Sequence, residues 1–542
     1  MNAKCNLLLV LLCLYAAVVA TQDVDNIIVP LNKTLTYDDR ILYERYMTLN
    51  GSSTLKVDFS NVNKNIWFII FQAHSHIREI TMHTNTSKDR EKINGTNLGL
   101  VSFTDPKLDT FYVQNFNIDV TVLVYISVHG YMATDPIPGG CNIDSIFPVP
   151  ISPYLHTVVN NNYVTVEAAA PSRERDCNSV PNTTFYMMYL TEMNFDTDVY
   201  FEGIRNMMSI KNIQKNGWVL PVESPMWTMR RLISAYPGLG TVYVVVTTSE
   251  RGYAVYVPSF TYACATNEEG ECELLHDLLS LILCTILFFI GMFICYFGHR
   301  FFKTEMFLAG FFSGVIITYI VIDLITDIDR PALAAASTLS GLFFGAIWLL
   351  FWWLYSIPMV AVLLPILHLG FLTSAIFYYR LPAIHMLMDS NYYFWSIFIV
   401  IMLLTSLPLA FVSYAANIIC CSVLGAYAAV HALDYYMGSN LKYIMLNTMR
   451  RASVPKFNQV ILAPPFQWRE TVMVFMWISL AVTGFVFQLI HNRGRPPFPP
   501  PPRSTRLSVP EARMYGAIVS HSSRRQQDEN TEHADERTSL LA

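Results

Sequence analysis

The chain predicts a membrane protein in which a β-rich extracellular region, read as two β-sandwich-like domains, precedes a seven-helix transmembrane bundle. Three observations carry this. Hydrophobic residues make up 53% of the chain and charged residues only 14%, which is too apolar for an ordinary soluble protein. All five Asn-x-Ser/Thr sequons precede residue 277. After Cys272 the composition turns abruptly into long apolar runs. The net charge of −5 argues against a nucleic-acid partner. The sequence has no phosphate-cradling glycine loop and no Cys/His cluster with metal spacing, so no cofactor is expected.

Residues 1–20 read as a signal peptide. Lys4 sits in a short basic region, Leu7 to Val19 form an apolar core too short to span a bilayer, and "VVA" offers Ala20 at a cleavage point. Residues 21–273 are then lumenal or extracellular, with glycosylation expected at Asn32, Asn50, Asn85, Asn94 and Asn182. Four cysteines lie there: Cys141, Cys177, Cys264 and Cys272. An even count in an oxidising compartment favours two disulfides, with three connectivities open. Cys141–Cys177 and Cys264–Cys272 are preferred because each closes a short local loop.

The runs "NIWFIIFQ" (65–72), "VTVLVYISV" (120–128), "YVTVEA" (163–168), "TVYVVVTT" (241–248) and "YAVYVPSFTYA" (253–263) have the β-branched and aromatic content of strands. Residues 201–215 read as a short helix. The strands at 120–128 and 241–248 each lead into a segment ending in a cysteine, "GGC" or "YAC", which suggests a duplicated domain with a boundary near 140.

Residues 274–490 hold seven apolar segments of spanning length, at roughly 275–297, 306–325, 332–354, 357–378, 392–414, 417–438 and 470–490. With the N-terminus outside, an odd number of spans puts the tail, 491–542, in the cytosol. "GHRFFK" (298–303) and the seven arginines of 491–525 then fall inside, and "TDID" (326–329) outside. One loop runs against the charge rule. Residues 439–469 carry Lys442, Arg450, Arg451, Lys456 and Arg469 without an acid, yet fall outside. Either "LKYIMLNTMRRA" lies on the membrane surface as an amphipathic helix, or one span is not a crossing.

Intramembrane ionisable groups mark transport paths or packing contacts. Here they are Asp323, His368, His431 and Asp434, the last two sharing a helix face. Interfacial placement of the acids and hydrogen bonding of the histidines to neighbouring helices is the simpler reading. "GFFSG" (310–314) and "GLFFG" (341–345) are G-x-x-x-G motifs, suited to packing inside the bundle or to dimerisation. The aromatic run "WLLFWWLY" (348–355) fits an interfacial belt. A rhodopsin-type receptor is disfavoured because the third span ends without an acid-Arg pair and the seventh without Asn-Pro. The tail offers two sorting signals for cytosolic adaptors: Glu536 with Leu540 and Leu541, and Tyr515 with Ile518. "RPPFPPPPR" (495–503) reads as polyproline II, either a spacer holding the tail off the membrane, the simpler reading, or a ligand for an SH3-like domain.

The segments "DPIPGGCN" (135–142), "YFGHRFFKTEMF" (296–307), "LKYIMLNTMRRA" (441–452), "RGRPPFPP" (493–500) and the "ERTSLL" ending together resemble the transmembrane 7 superfamily member 3 family. The resemblance implies a signal peptide, a glycosylated β-rich ectodomain and seven helices. It also implies a role in cell survival and in damping stress responses, including the unfolded-protein response. None of these segments is a catalytic signature. The expectation is a non-enzymatic plasma-membrane glycoprotein that binds an unidentified extracellular ligand, sits in the lipid bilayer, meets sorting adaptors through its tail and cycles through endosomes or lysosomes. The alternative is a proton or cation transporter or channel using the Asp and His residues.

Overall fold

The computed structural model describes residues 24–85, 92–142, 147–173, 177, 181–221, 229–250, 252–264, 272, 278–326, 328–380 and 390–499. The first sandwich is built from β1 (Val24–Pro30), β2 (Ile41–Leu49), β3 (Thr54–Ser60), β4 (Phe68–Ser75), β5 (Ile80–Thr84), β6 (Ile93–Gly95), β7 (Asn97–Phe103), β8 (Phe111–Gln114) and β9 (Val122–Tyr131). They form two sheets, β1-β3-β8-β5-β6 and β2-β9-β4-β7. In β3 the period is two: Leu55 and Val57 point into the core while Lys56 and Asp58 point out and pair at 2.8 Å.

β9 is buried on both faces. Val122, Val124, Ile126 and Val128 enter the first core. Tyr125, on the opposite face, packs with residues of the second domain. The near-continuous apolar run in β9 follows from that double burial.

The second domain contains β10 (Ile137–Cys141), β11 (Leu155–Val159), β12 (Tyr163–Ala168), β13 (Ala170–Ser172), β14 (Asn182–Tyr189), α1 (Thr197–Asn206), α2 (Ile210–Asn216), β15 (Trp218–Val219), β16 (Arg230–Ser234), β17 (Thr241–Thr248), β18 (Tyr253–Val255) and β19 (Ser259–Thr261). Its main sheets run β11-β12-β16 and β15-β14-β17-β18, with β19 also on β17. The single helix expected at 201–215 is two. The break falls where Ser209 leaves helical geometry and its side chain accepts the Asn212 N–H. Cys141 bonds to Cys177, and Cys264 to Cys272. Between the domains, the buried Arg40 and Asp135 pair at 3.1 Å, and Asp135 also accepts the Met132 N–H at 2.8 Å.

The membrane region comprises α3 (Leu278–Phe297), α4 (Phe302–Ile325), α5 (Arg330–Tyr355), α6 (Pro358–Arg380), α7 (Asn391–Ala410), α8 (Ser413–Met437), α9 (Tyr443–Ser453) and α10 (Trp468–His491). Seven of these, all but α9, are long and apolar enough to cross a membrane. α8 is the central helix. Its small residues let neighbours approach: a Cβ on Gly425 would meet the Cys295 backbone nitrogen at 2.4 Å, and one on Gly291 the Ala429 nitrogen at 2.5 Å.

The two G-x-x-x-G motifs face each other across the α4–α5 hairpin. A Cβ on Gly310 would lie 2.9 Å from Gly345 Cα, and one on Gly314 3.0 Å from Gly341 Cα. The motifs are therefore engaged within the chain rather than available to a second copy. The aromatic run that ends α5 is only partly at the lipid surface, because Trp352 is buried against Phe302 at 5.0 Å.

Candidate functional site

The loop after α8 builds the contact between ectodomain and bundle. Gly438 ends α8 at φ 68°. The buried Asp434 carboxylate then organises the turn, accepting from the Ser439 hydroxyl and from the backbone N–H groups of Leu441 (3.3 Å) and Lys442 (2.9 Å). α9 follows, and its arginines turn inward. Arg450 donates to Ala235 O and Asn161 O, both at 3.0 Å, and Asn447 accepts from the Ser234 hydroxyl at 3.0 Å. Farther on, Ile461 adds to the free edge of β16. Its N–H donates to Leu232 O at 2.8 Å and its carbonyl accepts from Ser234 N at 3.1 Å, in parallel with Ile233. Ile461 and Ala463 thereby enter the core of the second domain. Leu232, Tyr236 and Leu239 of the ectodomain share a second core with Leu372, Tyr379, Phe394 and Phe457 of the membrane region.

This replaces both readings of the basic loop. α9 does not lie on the membrane surface presenting its charges, and the loop does not need a miscounted span. Arg450 and Arg451 are buried, and the two terminal nitrogens of Arg450 donate to ectodomain carbonyls. The loop lies on the ectodomain side because it is bonded to the ectodomain.

At the mouth of α10, two carboxyls meet. Glu192, just beyond β14, and Glu470, in the first turn of α10, are 2% and 3% exposed. The Asn440 side-chain amide donates to both, at 3.2 Å and 2.9 Å. Gln467 closes the site from below. Its side chain accepts from Glu192 N (3.2 Å) and donates to Leu190 O (2.7 Å), while its own N–H donates to Glu470 (2.9 Å). Burial first, and then the neighbouring Glu470, push the Glu192 carboxyl far above the usual carboxylate range. Beside the pair, an open cleft of about 390 Å³ is lined by Tyr189, Leu190, Thr191, Pro465, Phe466 and Gln467.

The four intramembrane residues singled out by sequence do not assemble into one site. Asp323 is exposed near the end of α4. His368 meets Ser313 at 2.8 Å. His431 lies against the Tyr427 ring at 5.9 Å. Asp434 is the loop anchor described above and lies 4.0 Å from Lys442. A different polar cluster occupies the opposite end of the bundle: the Asn417 amide donates to Glu305 at 2.8 Å and lies 3.0 Å from His299, whose backbone N–H donates to Gln488 at 3.3 Å. Sequence reading missed Glu305 because it started the second span one residue later, at 306. The signal available was the lone acid of "FKTEMF" ahead of an uncharged run. Asn417 and Asp434 are 17 positions apart on α8, and the close α3–α8 packing at Gly425 lies between them.

All five sequon asparagines are exposed. The tail signals Tyr515, Ile518, Glu536, Leu540 and Leu541 lie outside the described residues, as does the signal-peptide segment.

Three family descriptions match in order along the chain. They are the TM7SF3-like N-terminal immunoglobulin-like domain at residues 37–129, the TM7SF3-like second immunoglobulin-like domain at 136–267, and the TM7S3/TM198-like domain at 284–489. The chain is 28% identical over 485 residues to "Transmembrane 7 superfamily member 3" of Homo sapiens, covering 84% of each chain. It is 29% identical over 479 residues to the Mus musculus protein of the same name, again covering 84% of each. Among solved structures, a beta-1,2-glucanase from Parabacteroides distasonis covers 55% of this chain and 41% of its own at 10% identity and a TM-score of 0.14, which carries no argument.

Proposed function

Because the chain belongs to the transmembrane 7 superfamily member 3 family, we propose that it is a non-enzymatic plasma-membrane glycoprotein whose immunoglobulin-like ectodomain binds or senses an outside ligand and whose bundle relays that state. The output of the relay is cell survival through damping of stress responses, including the unfolded-protein response. The observation that supports a relay is the continuity of the two halves. Ile461 completes a sheet edge of the second immunoglobulin-like domain, and Leu232, Tyr236 and Leu239 share a core with the bundle. A ligand that shifts the second domain therefore works directly on the α8–α10 connection. In this reading the N-terminus is outside, the exposed sequons carry glycans, and the cytosolic tail meets sorting adaptors.

Cells lacking the protein, challenged with a calcium-pump blocker that disturbs protein folding in the secretory pathway, test the output. Lower viability and a stronger stress-reporter signal are expected, both restored by the wild-type chain. Equal viability and equal signal with and without the protein would overturn it. The transport reading has less support, since the polar groups at the two ends of α8 are separated by the Gly291–Gly425 contact.

A further inference from the structure

We propose that Glu192 and Glu470 hold one shared proton, and that this proton latches the second immunoglobulin-like domain to the outer end of the bundle. The latch closes in acid and loosens in alkali. The two carboxyls come from opposite sides of the contact, one from the ectodomain and one from α10. They are close enough to hydrogen-bond to each other, and both take their amide donor from the same Asn440 nitrogen. With both groups ionised, two buried like charges would face each other across that amide.

One cation offsets the pair in part: Arg469 favours the Glu192 anion, but burial and the facing Glu470 outweigh it. Arg469, on α10, stands 3.9 Å from Glu192 Oε2, beyond hydrogen-bond distance, and that buried oxygen has no hydrogen-bond partner among the described residues. Lys442, from the α8–α9 turn, is directed at Asp434. Tyr379, on α6, donates its hydroxyl to the Asn440 carbonyl at 3.1 Å.

The arrangement also decides which carboxyl carries the proton. Glu470 sits in the first helical turn, where the helix dipole favours an anion, and Gln467 N–H caps it at 2.9 Å. Glu192 has no such support. A proton on Glu192 lets that carboxyl donate to Glu470, turning a repulsion into a hydrogen bond. A carboxyl held above its free value binds its proton more tightly in the docked state than in the undocked one. The share of docking that Glu192 supplies is therefore full at about the free-carboxyl value of 4.5 and weakens as pH rises above it, by up to about tenfold per pH unit.

Hydrogen exchange of the purified full-length chain tests this through the amides of Ser234 and Ile461, which pair across the contact. After correction for intrinsic rates, wild-type exchange is expected to be at least about tenfold faster at about pH 8.5 than at about pH 6. Glu192→Gln mimics the protonated form and should be slow at both. Glu470→Gln removes the like charge and should flatten the profile too. A flat wild-type profile, or a Glu192→Gln profile as steep as wild type, overturns the proposal. If neither variant folds, the wild-type profile alone decides. The inference extends the relay reading, but a flat profile would sink the latch alone, and failed rescue of stressed cells the relay alone.

Discussion

Acidification from about pH 7.4 to about 5.5 should loosen the contact between the two immunoglobulin-like domains through buried histidines. By register, Gln72, His74, Ser127 and His129 share the face of the β4–β9 pair that also carries Tyr125. His74 lies 2.9 Å from Asn97, which accepts the Tyr200 hydroxyl of α1 at 2.8 Å. His129 is 1% exposed, and neither ring nitrogen has a hydrogen-bond partner among the described residues. Burial lowers His74 to about 4 and His129 to about 3, from 6.5.

The folded state therefore prefers both rings neutral, while the unfolded chain takes up protons from about 6.5 downward. The stability they contribute is full above that pH and is lost as pH falls toward the folded values. One unit below the unfolded value each ring costs about 1.4 kcal/mol, so the pair costs about 3 kcal/mol at about pH 5.5. For a region of this size that is a fall in Tm of about 6–12 °C. Calorimetry of the full-length protein at the two pH values measures it, with exchange of β4 and β9 amides assigning the transition. His129→Phe should be nearly neutral at about pH 7.4, since no hydrogen bond is lost, and should remove about half of the acid effect. Equal acid losses in wild type and His129→Phe would refute the reasoning.

Three further outcomes follow from the packing. Arg450→Met leaves the Ala235 and Asn161 carbonyls without their charged donor, and should weaken docking by about 2–4 kcal/mol, read as faster exchange at residues 232–235; unchanged exchange would remove Arg450 from the dock. An epitope inserted between the exposed Pro455 and Lys456 should be stained on intact cells expressing the protein at their surface, whereas the nearby Ser453 is buried and unsuitable. Leu540→Ala combined with Leu541→Ala should enlarge the surface pool and slow internalisation without altering glycosylation, and equal uptake would make the leucine pair incidental.

The most apolar strands and the spans were legible because their composition or length stands out in the sequence, whereas the run read at 253–263 is two strands, β18 and β19. β17 lies at the residues read from "TVYVVVTT", and the seven spans fall within a few residues of their expected ends. The junction was not legible, for a physical reason. Its hydrogen-bonded partners are 213 or more residues apart, and nothing local to Ile461 says that its partner is Ile233. Arg450 read as a surface charge because the carbonyls that accept its hydrogen bonds belong to backbone, which carries no sequence signal. Glu192 stood among loop residues and Glu470 at a helix start, each ordinary alone; only the fold brings them to one amide. Asp434 was visible as an intramembrane acid, but its role as a turn anchor depends on the backbone N–H groups of the loop after it.

The strand that Ile461 lends to β16 sets an order of assembly. Tyr236 leaves the ribosome 225 residues before Ile461, an interval of about 10–45 s at ordinary synthesis rates. Throughout that time the second domain has an unpaired sheet edge, and until Leu372 and the bundle residues after it are made its patch of Leu232, Tyr236 and Leu239 is uncovered. The nascent ectodomain should be a client for chaperones until the loop after α9 is made, and a chain that stalls before Ile461 keeps its sticky edge. Such a chain, cut after Met437, should stay bound to lumenal chaperones, whereas release at the full-length rate would show that the edge is satisfied some other way. The outer half therefore cannot close its own sheet until most of the membrane half has been made.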